Sequence, residues 1–275
     1  MRLSSEESSD RGIIVVKVGT SSLVRLEKPL GIPRLDENAF KRIGSQIIRL
    51  HDERDIVIVT SGAIAAGMSK CSEHRRPNPD TEMLELQRLA SIGNIDLLNA
   101  WQRALKPIVI GGLLLTRPNL QERPNESSSA IQTIRALLRH GDVPVINEND
   151  AIAVEEIKFG DNDTLSAVVA AQLKHTRPES DVKLVLLSDV DGLYTERDNP
   201  SSRISVVNCL EEVRSLAGGA GTSNGTGGMA TKISAAEIAM GAGVHMWIAN
   251  GQEEMGIIGA LLGDTGTHFV PAAIQ

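Results

Sequence analysis

The stretch IIVVKVGTSS, residues 13–22, determines what kind of sheet this chain can form. Its first six residues are apolar except for Lys17, and such a run is typical of a strand covered on both faces by helices. Similar runs follow at IVIVT (56–60), PIVIGGLLLT (107–116), VPVI (143–146), KLVLLS (183–188) and VHMWIA (244–249). The sequence therefore predicts an α/β fold, in which a mostly parallel sheet alternates with helices along the chain.

Segments with helical spacing separate these runs. Asp36 is placed to cap a helix in which Phe40, Ile43 and Ile47 recur on one face. Residues 80–105 predict a longer helix with a break near Gly93. Further helices are predicted at 62–70, 126–139, 163–175 and 229–241. We interpret residues 12–275 as a single doubly wound domain and the polar, acidic residues 1–11 as a disordered tail.

Two long polar segments interrupt the alternation. KCSEHRRPNPD (70–80) predicts a surface loop. TERDNPSSR (195–203) and the glycine-rich AGGAGTSNGTGG (217–228) predict a mobile lid, because long polar loops in compact domains often cover a site.

Composition limits the classes of function. The chain has 275 residues, a formal net charge of −7 and a pI of about 5.5. This balance gives no general attraction to nucleic acid or to anionic lipid, so an anionic ligand must be held by a few placed cations. Two cysteines and the lack of a signal-like or membrane-spanning segment predict a cytoplasmic protein with no membrane partner.

Small and polar residues follow four of the predicted strands. They lie in KVGTSS (17–22), TSGAIAAG (60–67), NENDA (147–151) and SDVDG (188–192). Ligands of open α/β sheets bind beyond the carboxyl ends of the strands, so these four ends are candidates for one site. Lys17 has a plainer explanation as a residue of an edge strand or as a side chain that extends to water. Gly19 favours a ligand site, because glycine lets backbone N–H groups approach a ligand closely.

Two helix starts also carry candidate residues. Ser61 and Gly62 open a helix whose free N–H groups favour an anion, although Ser61 is equally suited to capping that helix. Asp161, Asn162 and Asp163 precede an apolar helix, and one of them is expected to be its N-cap. Because a cap needs only one such residue, the others can receive a cation, a metal ion or a substrate amino group.

The segment GTGGMATK, residues 225–232, joins glycines to a helix that contains Lys232. It lacks the Gly-Lys-Ser/Thr of a Walker motif, and it follows a polar loop instead of the strand that a dinucleotide fingerprint requires. A dehydrogenase is therefore disfavoured. Lys232 is either an exposed helical lysine or, together with Lys17, part of a phosphate site of another type.

Six segments, in this order, resemble motifs of the amino-acid kinase superfamily: KVGTSS, VTSGAIAAG, VPVINENDA, FGDNDTLSA, LLSDVDGLYT and GTGGMATKISAAEIA. INEND together with GDND is most similar to the glutamate 5-kinases within it. The resemblance implies a three-layer αβα sandwich with a central, mainly parallel sheet of about eight strands. It also implies a phosphotransferase that uses ATP to phosphorylate the γ-carboxylate of L-glutamate, giving L-glutamyl 5-phosphate in the first step of proline biosynthesis.

The resemblance assigns roles to particular residues. Lys17 and Lys232 would flank the transferred phosphoryl group, Asp163 would hold both ammonium groups, and backbone N–H groups around Gly19 and Gly62 would stabilise the group in transfer. The acceptor-binding residues implied are Ser61, Asn147, Asp150, Asp161 and Asn162. The nucleotide-binding residues implied are Lys17, Ser188, Asp189, Thr226, Gly227, Gly228, Met229, Ala230, Thr231 and Lys232. Mg²⁺ is expected to bind through the phosphates of ATP, without a direct protein ligand.

The resemblance further implies L-glutamate and ATP as ligands, proline as a feedback inhibitor, and a homo-oligomer, either a dimer or a tetramer. The chain departs from the pattern in two respects. It is too short to include the C-terminal PUA domain of many bacterial members, and Asn94 stands where glutamine is common. Two alternatives stay open, namely an amino-acid kinase for acetylglutamate or aspartate and a catalytically weak sensor of amino acid or nucleotide.

Overall fold

A computed structural model of the chain describes residues 11–73, 75–120, 128–152, 162–196, 199–214, 216 and 228–272. Within these ranges the strands are β1 (Ile13–Val18), β2 (Val24–Glu27), β3 (Ile32–Leu35), β4 (Asp55–Thr60), β5 (Ile110–Leu115), β6 (Val143–Glu148), β7 (Val182–Ser188), β8 (Leu193–Tyr194), β9 (Arg203–Ile204), β10 (Val206–Val207), β11 (His245–Asn250) and β12 (Thr267–Phe269). The helices of the same ranges are α1 (Thr20–Leu23), α2 (Glu37–His51), α3 (Ala63–Cys71), α4 (Met83–Ala104), α5 (Arg117–Leu120), α6 (Ser129–His140), α7 (Asn162–Thr176), α8 (Met229–Gly241) and α9 (Gly256–Leu262).

Eight of the described strands form one central sheet, in the order β10–β12–β11–β7–β1–β4–β6–β5. Neighbouring strands from β11 to β5 are parallel, whereas β12 is antiparallel to β11 and pairs in parallel with β10. The predicted fold class, an αβα sandwich around a mainly parallel sheet, is confirmed. The sequence patterns missed the β2–β3 hairpin and the short strand β12.

The central strand β1 separates two apolar cores. Ile13 and Val15 pack into the core that contains α6, α7 and α8. Ile14 and Val16 pack into the opposite core, with α2, α3, α4 and α9. Side chains of a strand alternate between its faces, so Lys17 lies on the same face as Ile13 and Val15. This alternation directs the lysine of the strand toward α7.

Helices α3 and α4 pack with their backbones in contact. A Cβ atom at Gly67 would lie 2.0 Å from the carbonyl oxygen of Leu89, and one at Gly93 would lie 1.8 Å from the carbonyl oxygen of Ala63. The predicted break near Gly93 is wrong, because α4 runs without interruption from Met83 to Ala104. Glycine is present there because the neighbouring helix leaves no room for a side chain.

Parts of the remaining predictions lie outside the described residues. Residues 1–10 of the predicted disordered tail lie outside the described residues. Arg11 is described, and its guanidinium donates a hydrogen bond to the carbonyl oxygen of Arg54 at 3.3 Å. Residues 197–198 and 217–227 of the predicted lid also lie outside the described residues. Its described part includes Arg203 of β9, a strand that pairs with β8. No helix within the described ranges is both long enough and apolar enough to cross a membrane.

The contact at Gly93 generates a testable prediction. Gly93→Ala forces a methyl group against backbone atoms of α3, so we expect the free energy of unfolding to fall by about 3 kcal/mol. Gly241→Ala is the matched control, since Gly241 is also a helical residue, the last of α8, and a Cβ atom there would meet nothing within 4 Å. We expect this control to be neutral or to gain up to about 1 kcal/mol. Urea denaturation of both variants measures the difference, and equal stabilities would contradict the packing argument.

Candidate active site

Four strand ends carry the polar residues singled out by the sequence, and the sheet brings these ends side by side. The strands concerned, β7, β1, β4 and β6, are consecutive in the sheet and parallel to one another. Their carboxyl ends therefore lie along one edge. The connection that leaves β1 leads to β4 on one side, and the connection that leaves β7 leads to β10 and β11 on the other side. The carboxyl ends of β1 and β7 therefore form the switch point where ligands of such folds bind.

The carboxylate of Asp163, at the start of α7, lies between two buried ammonium groups. The Nζ of Lys17 is 2.7 Å from Oδ1 of Asp163, and the Nζ of Lys232 is 3.4 Å from Oδ2. Lys17 is 7% exposed and Lys232 is 5% exposed. The plainer explanations are therefore wrong, because β1 is a central strand and the helical lysine is not at the surface.

The charge of Asp163 is set by its surroundings. Burial raises the pKa of this carboxyl, but the charges of Lys17 and Lys232, with hydrogen bonds from Lys17 and Thr231, lower the pKa well below its ordinary value. The stabilisation from its ionised form is therefore present above the ordinary carboxyl pKa of about 3.9 and is lost as the pH falls below it. At neutral pH the three groups carry one net positive charge, which suits an anionic ligand.

Glycines leave backbone donors accessible beside these charges. A Cβ atom at Gly19 would lie 3.2 Å from the Nζ of Lys17, so a side chain there would press on the ammonium group. Gly62 has a φ of 107°, which few residues other than glycine adopt, and it begins α3 without a side-chain cap. Gly228 likewise begins α8 without a side-chain cap. The first N–H groups of these two longer helices have no partner within the helix, and such groups favour anions.

Side-chain amides connect the acceptor candidates. The Nδ2 of Asn162 lies 2.7 Å from the Oγ of Ser61, 2.9 Å from the carbonyl oxygen of Thr60 and 3.3 Å from the Oδ1 of Asn147. Asn162 and Asp163 are adjacent in α7, so the residue that touches these groups directly precedes the one that holds the lysines. The structure thus places Ser61, Asn147 and Asn162 in one cluster beside Asp163.

Asp150 lies in the turn after β6 and is partly exposed. Its charge acts on Arg76, a residue of the loop between α3 and α4. Sequence analysis treated this loop only as a surface segment and so missed Arg76. The signal that could have found it is the pair of arginines at 75–76, within the loop that follows α3.

The described nucleotide candidates, other than Lys17, lie at the end of β7 and at the start of α8. Ser188 ends β7, and its hydroxyl donates to the Oδ1 of Asp189 at 3.0 Å. The hydroxyl of Thr231 lies 2.8 Å from Oδ2 of Asp163 and 2.8 Å from the carbonyl oxygen of Gly228. Met229 is partly buried and Ala230 is exposed at the start of α8. Three predicted residues lie outside the described residues, namely Asp161, Thr226 and Gly227.

No group of three or more acidic, histidine or cysteine side chains is arranged to hold a metal ion in the part of the chain that the structure describes. The expectation that Mg²⁺ binds through nucleotide phosphates remains a prediction. The site does fit a polyphosphate, because two ammonium groups and two uncapped helix starts surround it.

Comparison with known proteins agrees with this fold. Residues 12–250 match the amino acid kinase family. The glutamate 5-kinase of Clostridium acetobutylicum is 40% identical over 266 residues, which are 94% of this chain and 94% of that protein. The glutamate 5-kinase of Streptococcus suis is 40% identical over 94% of this chain and 70% of its own length. The solved Giardia carbamate kinase aligns over 96% of this chain with a TM-score of 0.64 and 15% identity, a likeness that shows the fold alone.

The chain therefore belongs to the amino acid kinase family and, within that family, to the glutamate 5-kinases. This membership confirms the resemblance seen in the six motifs. It also confirms the prediction that the protein is an enzyme of the kinase class.

The dependence of both lysines on Asp163 can be tested by stability. Asp163→Asn removes the carboxylate charge that lies between the two buried ammonium groups, so we expect a loss of about 3–5 kcal/mol in the free energy of unfolding at pH 7. Asp36→Asn makes the same chemical change at the N-cap of α2, where asparagine caps as well as aspartate, and should cost less than about 0.5 kcal/mol. Guanidinium denaturation compares the two variants. A loss at Asp163 no larger than at Asp36 would refute the interpretation.

Proposed function

We propose that this protein transfers the γ-phosphoryl group of ATP to the γ-carboxylate of L-glutamate, forming L-glutamyl 5-phosphate and ADP. The product would be the first intermediate of proline synthesis. The observation that carries the proposal is the carboxylate of Asp163 between the ammonium groups of Lys17 and Lys232, at the carboxyl end of the central strand. The names of the relatives support glutamate as the acceptor.

The transfer brings two anions together, so its main requirement is positive charge in the right place. A carboxylate oxygen of glutamate attacks the γ-phosphorus, the bond to the bridging oxygen breaks, and ADP leaves with the electron pair. The acceptor is already ionised at neutral pH, and no general base is needed. Lys17 and Lys232 would stabilise the charge on the transferred oxygens, and Mg²⁺ bound to the nucleotide would supply further positive charge.

Asp163 has two roles in this proposal. It keeps both ammonium groups at fixed positions, and its single negative charge offsets only one of their two positive charges. The net positive charge of the three groups would attract phosphate. Backbone N–H groups after Gly19 and Gly62 would add donors that are already oriented. Such donors stabilise a developing charge without a free-energy cost of reorientation during the reaction.

The acceptor would be held by groups suited to an amino acid. Asn162 directs its Nδ2 toward protein atoms, so its Oδ1 is left to accept a hydrogen bond from the substrate ammonium group. Asp150 would add negative charge near the same ammonium group, and Arg76 would add a positive charge for the α-carboxylate. Ser61 accepts from Asn162, so its own hydroxyl proton is free to be donated to a substrate oxygen.

Two other functions are distinguished by one assay. Protein is incubated with ATP, Mg²⁺ and hydroxylamine, and hydroxamate is measured with L-glutamate, N-acetylglutamate or L-aspartate. We expect hydroxamate with L-glutamate alone. Product with another acceptor would identify a different amino acid kinase activity, and the absence of phosphate transfer with all three would favour a sensor.

Two further predictions can be tested in the same preparation. Added proline tests the predicted feedback inhibition, and light scattering tests the predicted dimer or tetramer.

Replacement of Lys232 tests the catalytic assignment. Lys232→Ala removes one of the donors to the transferred phosphoryl group, so we expect kcat to fall about 10²–10³-fold. Lys70→Ala is the matched control, because Lys70 lies on α3 with an exposed side chain and pairs with Asp96 at 3.5 Å. Steady-state kinetics with L-glutamate measure both, and circular dichroism verifies folding. Near-normal turnover of a folded Lys232→Ala enzyme would exclude the assigned role.

A further inference from the structure

Three buried asparagines form a line of hydrogen bonds that extends away from the acceptor cluster. The Nδ2 of Asn162 donates to the Oδ1 of Asn147 at 3.3 Å, and the Nδ2 of Asn147 donates to the Oδ1 of Asn94 at 2.9 Å. Asn94 lies in the middle of α4 and is 6% exposed. We call these three residues the amide relay. It connects the start of α7 with a helix of the opposite layer, by way of β6.

The direction of the amide relay is fixed at the Asn162 end. A backbone carbonyl oxygen can only accept, so the 2.9 Å contact with Thr60 requires Asn162 to present its NH₂ group there. The same NH₂ group faces Asn147, which must therefore present its Oδ1. Asn147 is then left with its own NH₂ group directed at α4. Within the described residues, the Oδ1 of Asn162 has no hydrogen-bond partner.

Asn94 completes this arrangement at the other end. Its Oδ1 accepts from Asn147, while its own Nδ2 is buried without a hydrogen-bond partner among the described residues. The contact that matters is therefore the acceptor oxygen of Asn94. Without this oxygen, the amide of Asn147 has two alternatives. It keeps its orientation with a buried, unsatisfied NH₂ donor, or it flips by 180° and sets its NH₂ group against that of Asn162.

Helix α4 makes a second polar contact of the same kind, one that also supports the acceptor cluster. Trp101 lies on the same face of α4 as Asn94, since the two are seven residues apart, and its Nε1 donates to the hydroxyl of Thr60 at 2.9 Å. Thr60 is the residue whose carbonyl oxygen orients Asn162. Both ends of the amide relay are thus held by one buried face of α4.

We propose that Asn94 is a positioning residue for the acceptor substrate. It fixes the amide of Asn147 and, through it, the orientation in which Asn162 offers its carbonyl oxygen to the substrate ammonium group. This inference rests on the proposed function. It predicts that Asn94 affects the binding of glutamate and has little effect on the binding of ATP, because the lysines do not depend on the amide relay.

Substitutions at position 94 separate the acceptor oxygen from the rest of the amide. Asn94→Leu keeps a side chain branched at Cγ and removes the acceptor, so we expect the KM for L-glutamate to rise about 10-fold, with the KM for ATP changed less than about twofold. Asn94→Asp keeps an acceptor oxygen and should recover most of the affinity for glutamate. Asn94→Ala provides the same test if Asn94→Leu does not fold.

A double variant and a control distinguish positioning from general loss of structure. In an Asn147→Ala background the amide that links Asn94 to Asn162 is gone, so adding Asn94→Leu should change the KM for glutamate by less than about twofold. Gln46→Met is the control, since the buried Gln46 accepts from the backbone N–H of Ile257 at 2.9 Å in a contact between α2 and α9. We expect this control to keep the KM for both substrates.

The outcomes separate the two proposals. A wild-type enzyme that makes no hydroxamate from glutamate would refute the proposed function itself. An active wild-type enzyme whose Asn94→Leu variant keeps its KM for glutamate would overturn only the role of Asn94. A parallel rise in the KM for ATP, or a failure of Asn94→Asp equal to that of Asn94→Leu, would also overturn it, because both results point away from the acceptor oxygen.

Discussion

The structure depends on one requirement, that a buried positive charge must have a counter-ion. Lys17 stands in the central strand and Lys232 in a helix near the other end of the chain, and Asp163 is the carboxylate that both contact. Breaking such a pair inside a protein is costly, since one charge is then left without compensation. The three segments are therefore held together at the place where the sheet offers a switch point. The proposed binding site and the folding constraint coincide in these three side chains.

Much of the fold could be predicted because its strands are buried on both faces. The runs at 13–18 and 56–60 are apolar throughout apart from Lys17 and the terminal threonine, and both are strands of the central sheet. The β2–β3 hairpin was missed because it lies outside this sheet, exposes Leu26 and contains a proline at position 33. The prediction of a break near Gly93 was wrong. Glycine is present there because the backbone of a neighbouring helix leaves no room for a side chain, and the local sequence does not reveal this contact.

The site was predictable to a different degree. Residues at strand ends, such as Ser61 and Ser188, can be found from the pattern of strands and turns. The pairing of Asp163 with both lysines followed from resemblance, since the spacing of the three residues along the chain says nothing about contact. Asn94 illustrates the remaining limit. A lone asparagine within a long amphipathic helix has no local signal, and its importance emerges only from the partner that the fold brings to it.

The two apolar cores described above have a consequence for how the site works. The lysines and Asp163 belong to the layer of α7 and α8, whereas Asn94 and Trp101 belong to the layer of α4 on the far side of the sheet. The helix that carries Asn162 and Asp163 and the helix whose Asn94 and Trp101 support this cluster thus lie on opposite layers of the sandwich, which are joined through the strands. In the proposed reaction, a small displacement of one layer relative to the other would change the distances between Asn162 and the groups that orient it. Substitutions in either core, far from the proposed site, are therefore expected to lower turnover by this route.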